Sequence, residues 1–451
     1  MKRWLWVGAA LVVAGGALAY SRLDPVAGVA AGYMAKVACS EIFLARRDAT
    51  TVLDGEFTGI SSALDFVRLD VDEADRSVSG SIFGLGKAKA AYRDGYGCTL
   101  ARGKAPAPLP GLAPIADRPL PDAREGSAGR RNDLDYAAID AALETAFADQ
   151  KSATRAIVVV KDGAIIAERY AAGFSVETPF LSWSMAKSVT ASMVGAAVLK
   201  GLVDINEPAP VDEWANDPKR RAITWNDLLH MQSGLAFNED YADPASDVSE
   251  MLFRARSGGG VAARQPLIHD PGATWSYSSG TTNLLQRTLR KVLEANGVDY
   301  HQFARDALFE PVGAQRFVME PDGSGTFIGS SFMYATARDW AKLGLLYLDD
   351  GVVAGKRLLP EGWSRYVATP ASASDGFYGA QFWLNHPGTD GRPKYMPGVP
   401  DDAYLMAGHE GQYVLIIPGK RLVIVRTGMT RGPEPMPLVA PVFAAIYAAV
   451  P

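Results

Sequence analysis

Cysteine is nearly missing from this chain. Two among 451 residues, Cys39 and Cys98, are too few for a disulfide-dense scaffold or a Cys₄ zinc site. Histidine is scarce too, at five, and no His-Glu-x-x-His pair is there to hold a catalytic zinc. No Walker A loop, no G-x-G-x-x-G fingerprint and no Gly-x-Ser-x-Gly elbow occurs. Excess positive charge is lacking as well. Lys and Arg number 45 against 50 Asp and Glu, for a formal net charge of -5, and no basic run stands out. That balance argues against a nucleic-acid partner. Internal repeats are absent. What remains is ordinary globular composition, 48% hydrophobic and 21% charged, with length for about two to four domains or one large domain with additions.

The first twenty residues read as a signal peptide or an N-terminal membrane anchor. Lys2 and Arg3 precede an apolar run from Trp4 to Ala19, and Ala17-Leu18-Ala19 fits a signal-peptidase site. The run is somewhat short for a spanning helix of about 20 apolar residues, so cleavage and anchoring both stay open. Either fate places the remainder outside the cytoplasm, periplasmic or secreted, or held on the inner membrane facing the periplasm. There Cys39 and Cys98 are expected to pair in one disulfide; the alternative is two buried thiols. Residues 21–104 read as an irregular α+β extension bracketed by the two cysteines. A Pro-rich linker follows over 105–132, where Ala105-Pro106-Ala107-Pro108-Leu109-Pro110 favours extended chain.

From 133 to 451 the pattern changes. An amphipathic helix is expected over Asp133–Asp149, with Leu134, Ile139, Leu143 and Phe147 as its stripe. Ala156–Val160 and Ala164–Tyr170 flank Asp162-Gly163, a hairpin signal. A second hairpin is expected from Tyr413–Ile417 and Leu422–Thr427, then a helix from about Pro437 to Val450. Helical patterns fill the middle, with an all-helical subdomain over about 205–350. The fold expected is α+β: one antiparallel sheet built from both chain ends, flanked by helices.

Ser184-Met185-Ala186-Lys187 opens a long apolar helix. A serine and a lysine three apart share one helix face. A hydroxyl becomes a nucleophile when a base takes its proton, and an amine serves as that base where burial disfavours its charge. The plainer alternative is a serine capping the helix beside a lysine that reaches solvent. Tyr277 follows a Pro271-Gly272 turn and precedes a helix expected from about Thr281. Its phenol can relay a proton beside a lysine; a buried tyrosine with one hydrogen bond is the alternative. Gly408-His409-Glu410-Gly411-Gln412 enters the last hairpin. A strand edge there can offer one backbone N–H to an oxyanion, with the serine's own N–H as the other. Gly411 permits close approach of a substrate backbone.

In this order the three motifs resemble those of the serine β-lactamase and penicillin-recognising hydrolase superfamily, in its class C-like branch: Ser-x-x-Lys, then Tyr-x-Asn, then Lys-Thr-Gly or His-x-Gly. The resemblance spans about 150–450 and includes Leu228–Leu235, Ala337–Gly344 and Tyr378–Trp383. Ser184–Thr190 and Asn238–Ser246 further resemble the 6-aminohexanoate-dimer hydrolases, which cleave small linear amides and often carboxylic esters. The resemblance implies a β-lactamase/transpeptidase-like fold and an acyl-enzyme route without metal or organic cofactor. It implies Ser184 as nucleophile, Lys187 and Tyr277 as proton carriers, and an oxyanion hole from the N–H groups of Ser184 and Gln412. It carries Tyr241, His409, Gly411 and Ser279 over as substrate-binding positions. Two departures count. Ser279 stands where the family has asparagine, and His409 stands where many members have the lysine that binds a β-lactam carboxylate. Both favour a small-molecule amide or ester as substrate. A β-lactamase or DD-peptidase, and a non-catalytic peptide-binding sensor on the same fold, are the rival readings. Oligomeric state stays open.

Overall fold

The stretch 21–104 is more regular than its sequence pattern implies. The computed structural model describes residues 20, 23–101, 103–112, 115–123, 131, 133–389, 391–432 and 435–451. The expected signal or anchor run Trp4–Ala19 and part of the 105–132 linker lie outside the described residues. Contacts divide the chain into two compact units. The smaller is Met1–Leu109 with Phe237–Val261 and Pro321–Gly325; the larger is Pro110–Ala236 with Ala262–Glu320 and Thr326–Pro451.

In the smaller unit, helix α1 (Leu23–Leu44) meets a four-stranded antiparallel meander: β1 (Val67–Asp72), β2 (Ser77–Ile82), β3 (Leu85–Arg93) and β4 (Gly97–Ala101). Small residues make the approach possible. Ala31, Ala35 and Ala38 are fully buried, and a methyl on Gly80 would come within 3.0 Å of the Ala31 carbonyl oxygen. The expected disulfide is present: Cys39 at the last turns of α1 is bonded to Cys98 on β4, Cα to Cα 6.0 Å. Beside it Arg47 bridges the buried carboxylates Glu41 and Glu56 at 2.7 and 2.6 Å.

The larger unit is organised by one six-stranded antiparallel sheet. β5 (Thr154–Lys161) and β6 (Ala164–Tyr170) come from its first part. Asp162 (φ 50°) and Gly163 (φ 82°) make the tight turn between them. The other end of the chain adds β10 (Trp383–Leu384), β11 (Tyr404–Gly408), β12 (Gln412–Ile417) and β13 (Leu422–Gly428), in the order β10-β11-β12-β13-β5-β6. Val158 to Val160 and Val423 to Val425 are buried in unbroken runs because helices cover both faces. On one face α2 (Tyr136–Ala148) and α6 (Met436–Ala449) pack through Ile139, Leu143, Phe443 and Ile446 onto Ile157, Leu415 and Ile424. On the other lies α5 (Ala337–Leu348), so close that a methyl on Gly344 would overlap Val423. Beside it the buried helix α3 (Met185–Leu199) also lies on the sheet, against β11 and β12, and α4 (Ser279–Ala295) packs on α3. A small sheet that no periodicity announces, β7-β9-β8, joins Phe180–Leu181, Met333–Ala335 and Val318–Met319. The α+β, β-lactamase/transpeptidase-like architecture expected from the sequence is therefore present.

Candidate active site

Ser184 occupies the N-cap position of α3, yet its hydroxyl makes no capping hydrogen bond. Lys187 does not reach solvent; it is 1% exposed. Neither matches the capping-serine alternative. Lys187 Nζ lies 2.9 Å from Ser184 Oγ, 2.9 Å from Ser279 Oγ and 3.1 Å from the Ser330 carbonyl oxygen. None of these three neighbours carries a charge. The amine also stands 4.8 Å from the ring centroid of Tyr277.

Each partner is fixed by its own element. Helix α4 begins at Ser279, two residues before the start expected near Thr281. Ser278 caps it, its Oγ accepting from the Thr281 N–H at 3.0 Å. The motif's second serine is thereby turned inward, fully buried against the amine. Asn283, one turn further along α4, locks Ser330: its Nδ2 donates to Ser330 Oγ at 3.0 Å, and its Oδ1 accepts from the Ser330 N–H at 3.2 Å. Tyr277 sits in an aromatic nest, 5.5 Å from Trp383 and 5.8 Å, edge-on, from Tyr378. Gln381 (φ 64°) ties three elements together. Its side chain accepts from Thr282 and donates to the Leu229 carbonyl, and its own carbonyl accepts from Ser188. The sequence reading assigned no role to Asn283, Ser330 or Gln381. Tyr378–Trp383 was its only trace of this wall.

The segment before Ser184 is strained. Trp183 is buried at φ 45°, a conformation a bulky residue keeps only when its surroundings impose it. The Ser182 N–H donates to the Met333 carbonyl at 2.8 Å, and the Trp183 ring packs on Phe332 at 5.9 Å and edge-on to His409 at 5.5 Å. Across from it, β11 ends at Gly408. A Cβ there would fall well inside 3.0 Å of the Ser182 carbonyl oxygen. Only glycine lets this strand end come so near the residues before Ser184.

The turn His409–Gly411 then carries the chain into Gln412. Glu410 takes φ 60° and pairs with Arg431. The Gln412 side chain is held by Gly428, donating to its carbonyl at 2.7 Å and accepting from its N–H at 3.1 Å. Beneath the turn lies Arg426, 1% exposed. It donates to the Gly411 carbonyl at 2.6 Å, to Thr430 at 2.8 Å, to Thr154 at 3.1 Å and to the Ser152 carbonyl. Burial without a carboxylate partner lowers this guanidinium to about 10. His409 is half-exposed, and partial desolvation against Trp183 together with the Arg431 charge holds it below the ordinary histidine value, so the imidazole is neutral near pH 7.

The larger unit thus brings Ser184, Lys187, Tyr277 and Ser279 to one place. It puts His409 against Trp183 and sets Gly411 and Gln412 on the turn that follows Gly408. Tyr241 belongs to the smaller unit, 39% exposed on a loop. Its neighbours Asp240 and Asp243 cap that loop, accepting from the N–H groups of Ala242 and Ala245. Phe382 and Tyr404 are core, their rings edge-on at 5.7 Å. Among the described residues no three His, Cys, Asp or Glu side chains converge to hold a metal ion.

A family model described as Beta-lactamase matches residues 139–449, well over half of the chain. The chain belongs to the β-lactamase family. Within it, the sequence is 28% identical over 262 residues to a 6-aminohexanoate-dimer hydrolase of Paenarthrobacter ureafaciens, covering 52% of this chain and 65% of that protein, just under two thirds of the relative's length. Among solved structures a family VIII carboxylesterase aligns with TM-score 0.54 and 16% identity over 70% of this chain and 97% of its own. A penicillin-binding protein homologue of Caulobacter crescentus aligns with TM-score 0.53 and 18% identity over 69% and 97%. At such identities the structures share the fold. The family assignment makes this β-lactamase-family chain a serine hydrolase.

Proposed function

We propose that the protein hydrolyses a small amide or carboxylic ester through an acyl-enzyme on Ser184. The observation that carries the reading is the placement of Lys187 Nζ, buried and 2.9 Å from the Ser184 hydroxyl. A neutral amine has two N–H groups and one lone pair. The N–H groups suit Ser279 Oγ and the Ser330 carbonyl, and the lone pair then faces Ser184. Lys187 takes the Ser184 proton as Oγ bonds to the substrate carbonyl carbon. The tetrahedral oxyanion lies between the N–H groups of Ser184 and Gln412. Tyr277, against Lys187, returns the proton to the leaving nitrogen or oxygen as its bond to carbon breaks. Water, deprotonated by the same pair, then releases the acid and frees Ser184. His409 and Gly411 line the acyl side.

The similarity to a protein named as a 6-aminohexanoate-dimer hydrolase supports a linear amide, and a neutral His409 in place of a lysine disfavours an anionic β-lactam. The apolar N-terminal run and the Cys39–Cys98 disulfide support an extracytoplasmic location, with residues 21–104 as an extension ahead of a hydrolase domain that begins near 133. The test is turnover of p-nitrophenyl acetate, p-nitrophenyl butyrate and a 6-aminohexanoate dimer by wild type and Ser184→Ala. Loss of all turnover in the alanine variant is expected, and retained activity refutes the reading. Labelling by a fluorescent penicillin in place of that turnover would instead favour a penicillin-recognising enzyme. Failure of Ser184 to react with a fluorophosphonate would favour a binding module.

A further inference from the structure

Exposed apolar side chains collect in one corner of the smaller unit. Of the ten large hydrophobic residues exposed among the described ones, six are Tyr20, Leu23, Val26, Ile60, Phe66 and Phe83. Four of these share one surface. The rings of Phe66 and Phe83 are 5.9 Å apart. Phe83 tips the β2–β3 hairpin, whose Gly86 N–H donates to Asp24 Oδ1 at 2.7 Å and whose Gly86 Cα lies against the Ala27 backbone. The hairpin tip therefore rests on the first turns of α1. There Leu23 and Val26, three apart on one helix face, are 56% and 43% exposed.

Phe83 gains little from folding beyond its contact with Phe66. It is 84% exposed, and its φ is 50° with Gly84 following at 81°. This is a two-residue turn whose first position ordinarily takes Asn, Asp or Gly. A phenylalanine there is strained and its ring is left in water, so the side chain serves something outside the fold.

We propose that this corner lies in the headgroup–acyl boundary of a lipid bilayer, with Phe66 and Phe83 inserted. The position of the patch along the chain chooses lipid as the occupant. The apolar run Trp4–Ala19, preceded by Lys2 and Arg3, enters the folded chain at this corner, with only residues 20–22 between it and Leu23. A membrane that receives this run reaches the rings. The inference does not rest on the hydrolase reading.

The test attaches an environment-sensitive nitrobenzoxadiazole label at Phe83→Cys in the full chain. A control label goes at Glu73→Cys, at the other end of the β1–β2 hairpin. The buried Cys39–Cys98 disulfide leaves no other thiol to react. On vesicles of phosphatidylcholine with phosphatidylglycerol, the label at 83 shifts to the blue and is quenched several-fold more by nitroxide lipids than the label at 73. Two labels that respond alike overturn the proposal. So does a label at 83 that is buried without lipid as protein concentration rises, because a second copy then covers the patch.

Discussion

Gly408→Ala tests how the site is held together. The added Cβ would sit well inside 3.0 Å of the Ser182 carbonyl oxygen and 3.0 Å from Gln412 Cβ. The first neighbour is backbone, two residues before the nucleophile, and it is pinned by the Ser182 N–H bond to Met333. It cannot swing aside as a flexible side chain would. Relief requires β11 to withdraw from Ser184 by about 1 Å. A displacement of that size costs on the order of 100-fold in rate, or about 2.7 kcal/mol of transition-state stabilisation. The loss falls on kcat more than on KM, because an oxyanion contact strengthens in the transition state. Overpacking adds about 1–3 kcal/mol of instability, a fall of several degrees in Tm. The assay is kcat and KM on p-nitrophenyl butyrate beside a thermal melt. Gly111→Ala, where a methyl meets nothing within 4 Å, serves as the control. A Gly408→Ala enzyme with wild-type kcat and Tm would falsify the argument that this close approach sets the oxyanion geometry.

Three further outcomes are expected. Activity of the wild type falls on the acid side as Lys187 takes a proton; Ser279→Ala, which removes an oxygen 2.9 Å from that amine, moves the limb and lowers kcat about 10- to 100-fold, and an unchanged kcat–pH profile excludes Ser279 as a partner of the base. Burial holds His230 below the ordinary histidine value, so the unfolded chain binds more protons once pH drops under about 6.5, and Tm declines as pH falls further. His230→Gln should flatten that decline, and a melt independent of pH over this window contradicts it. Reduction of the disulfide, or Cys98→Ser, releases a loop of sequence separation 59 and costs the smaller unit about 4 kcal/mol; limited proteolysis should then cut within 45–97, and equal protection with and without reductant argues against it.

The hairpins of the large sheet were legible because buried valine and isoleucine runs abut turn residues at Asp162-Gly163 and Pro418-Gly419. The smaller unit's meander was not. β2 reads Ser-Val-Ser-Gly-Ser-Ile and β3 alternates Lys with Ala, small residues chosen to let a helix lie close, and these leave little hydrophobic signal. The two- and three-residue strands of the β7-β9-β8 sheet are too short for any period and exist through tertiary pairing alone. In the candidate site, Ser184 and Lys187 could be paired from their spacing, and Tyr277 from its loop and its place in the order of motifs. Ser330 could not, since it acts through a main-chain carbonyl that any residue would supply. Asn283 and Gln381 work by holding other groups, and nothing in their local sequence marks that work.

The buried guanidinium under the His409–Gly411 turn has a consequence for electron distribution. Arg426 grips the oxygen of residue 411, and the nitrogen across that same rigid peptide plane belongs to Gln412. Anchoring the oxygen sets the direction in which the amide hydrogen points. A cation on the oxygen also draws density away from the nitrogen, leaving the hydrogen at the far end more electropositive. A charge sealed in the interior would thus sharpen the neutral donor proposed for the oxyanion, without itself approaching the reacting bond.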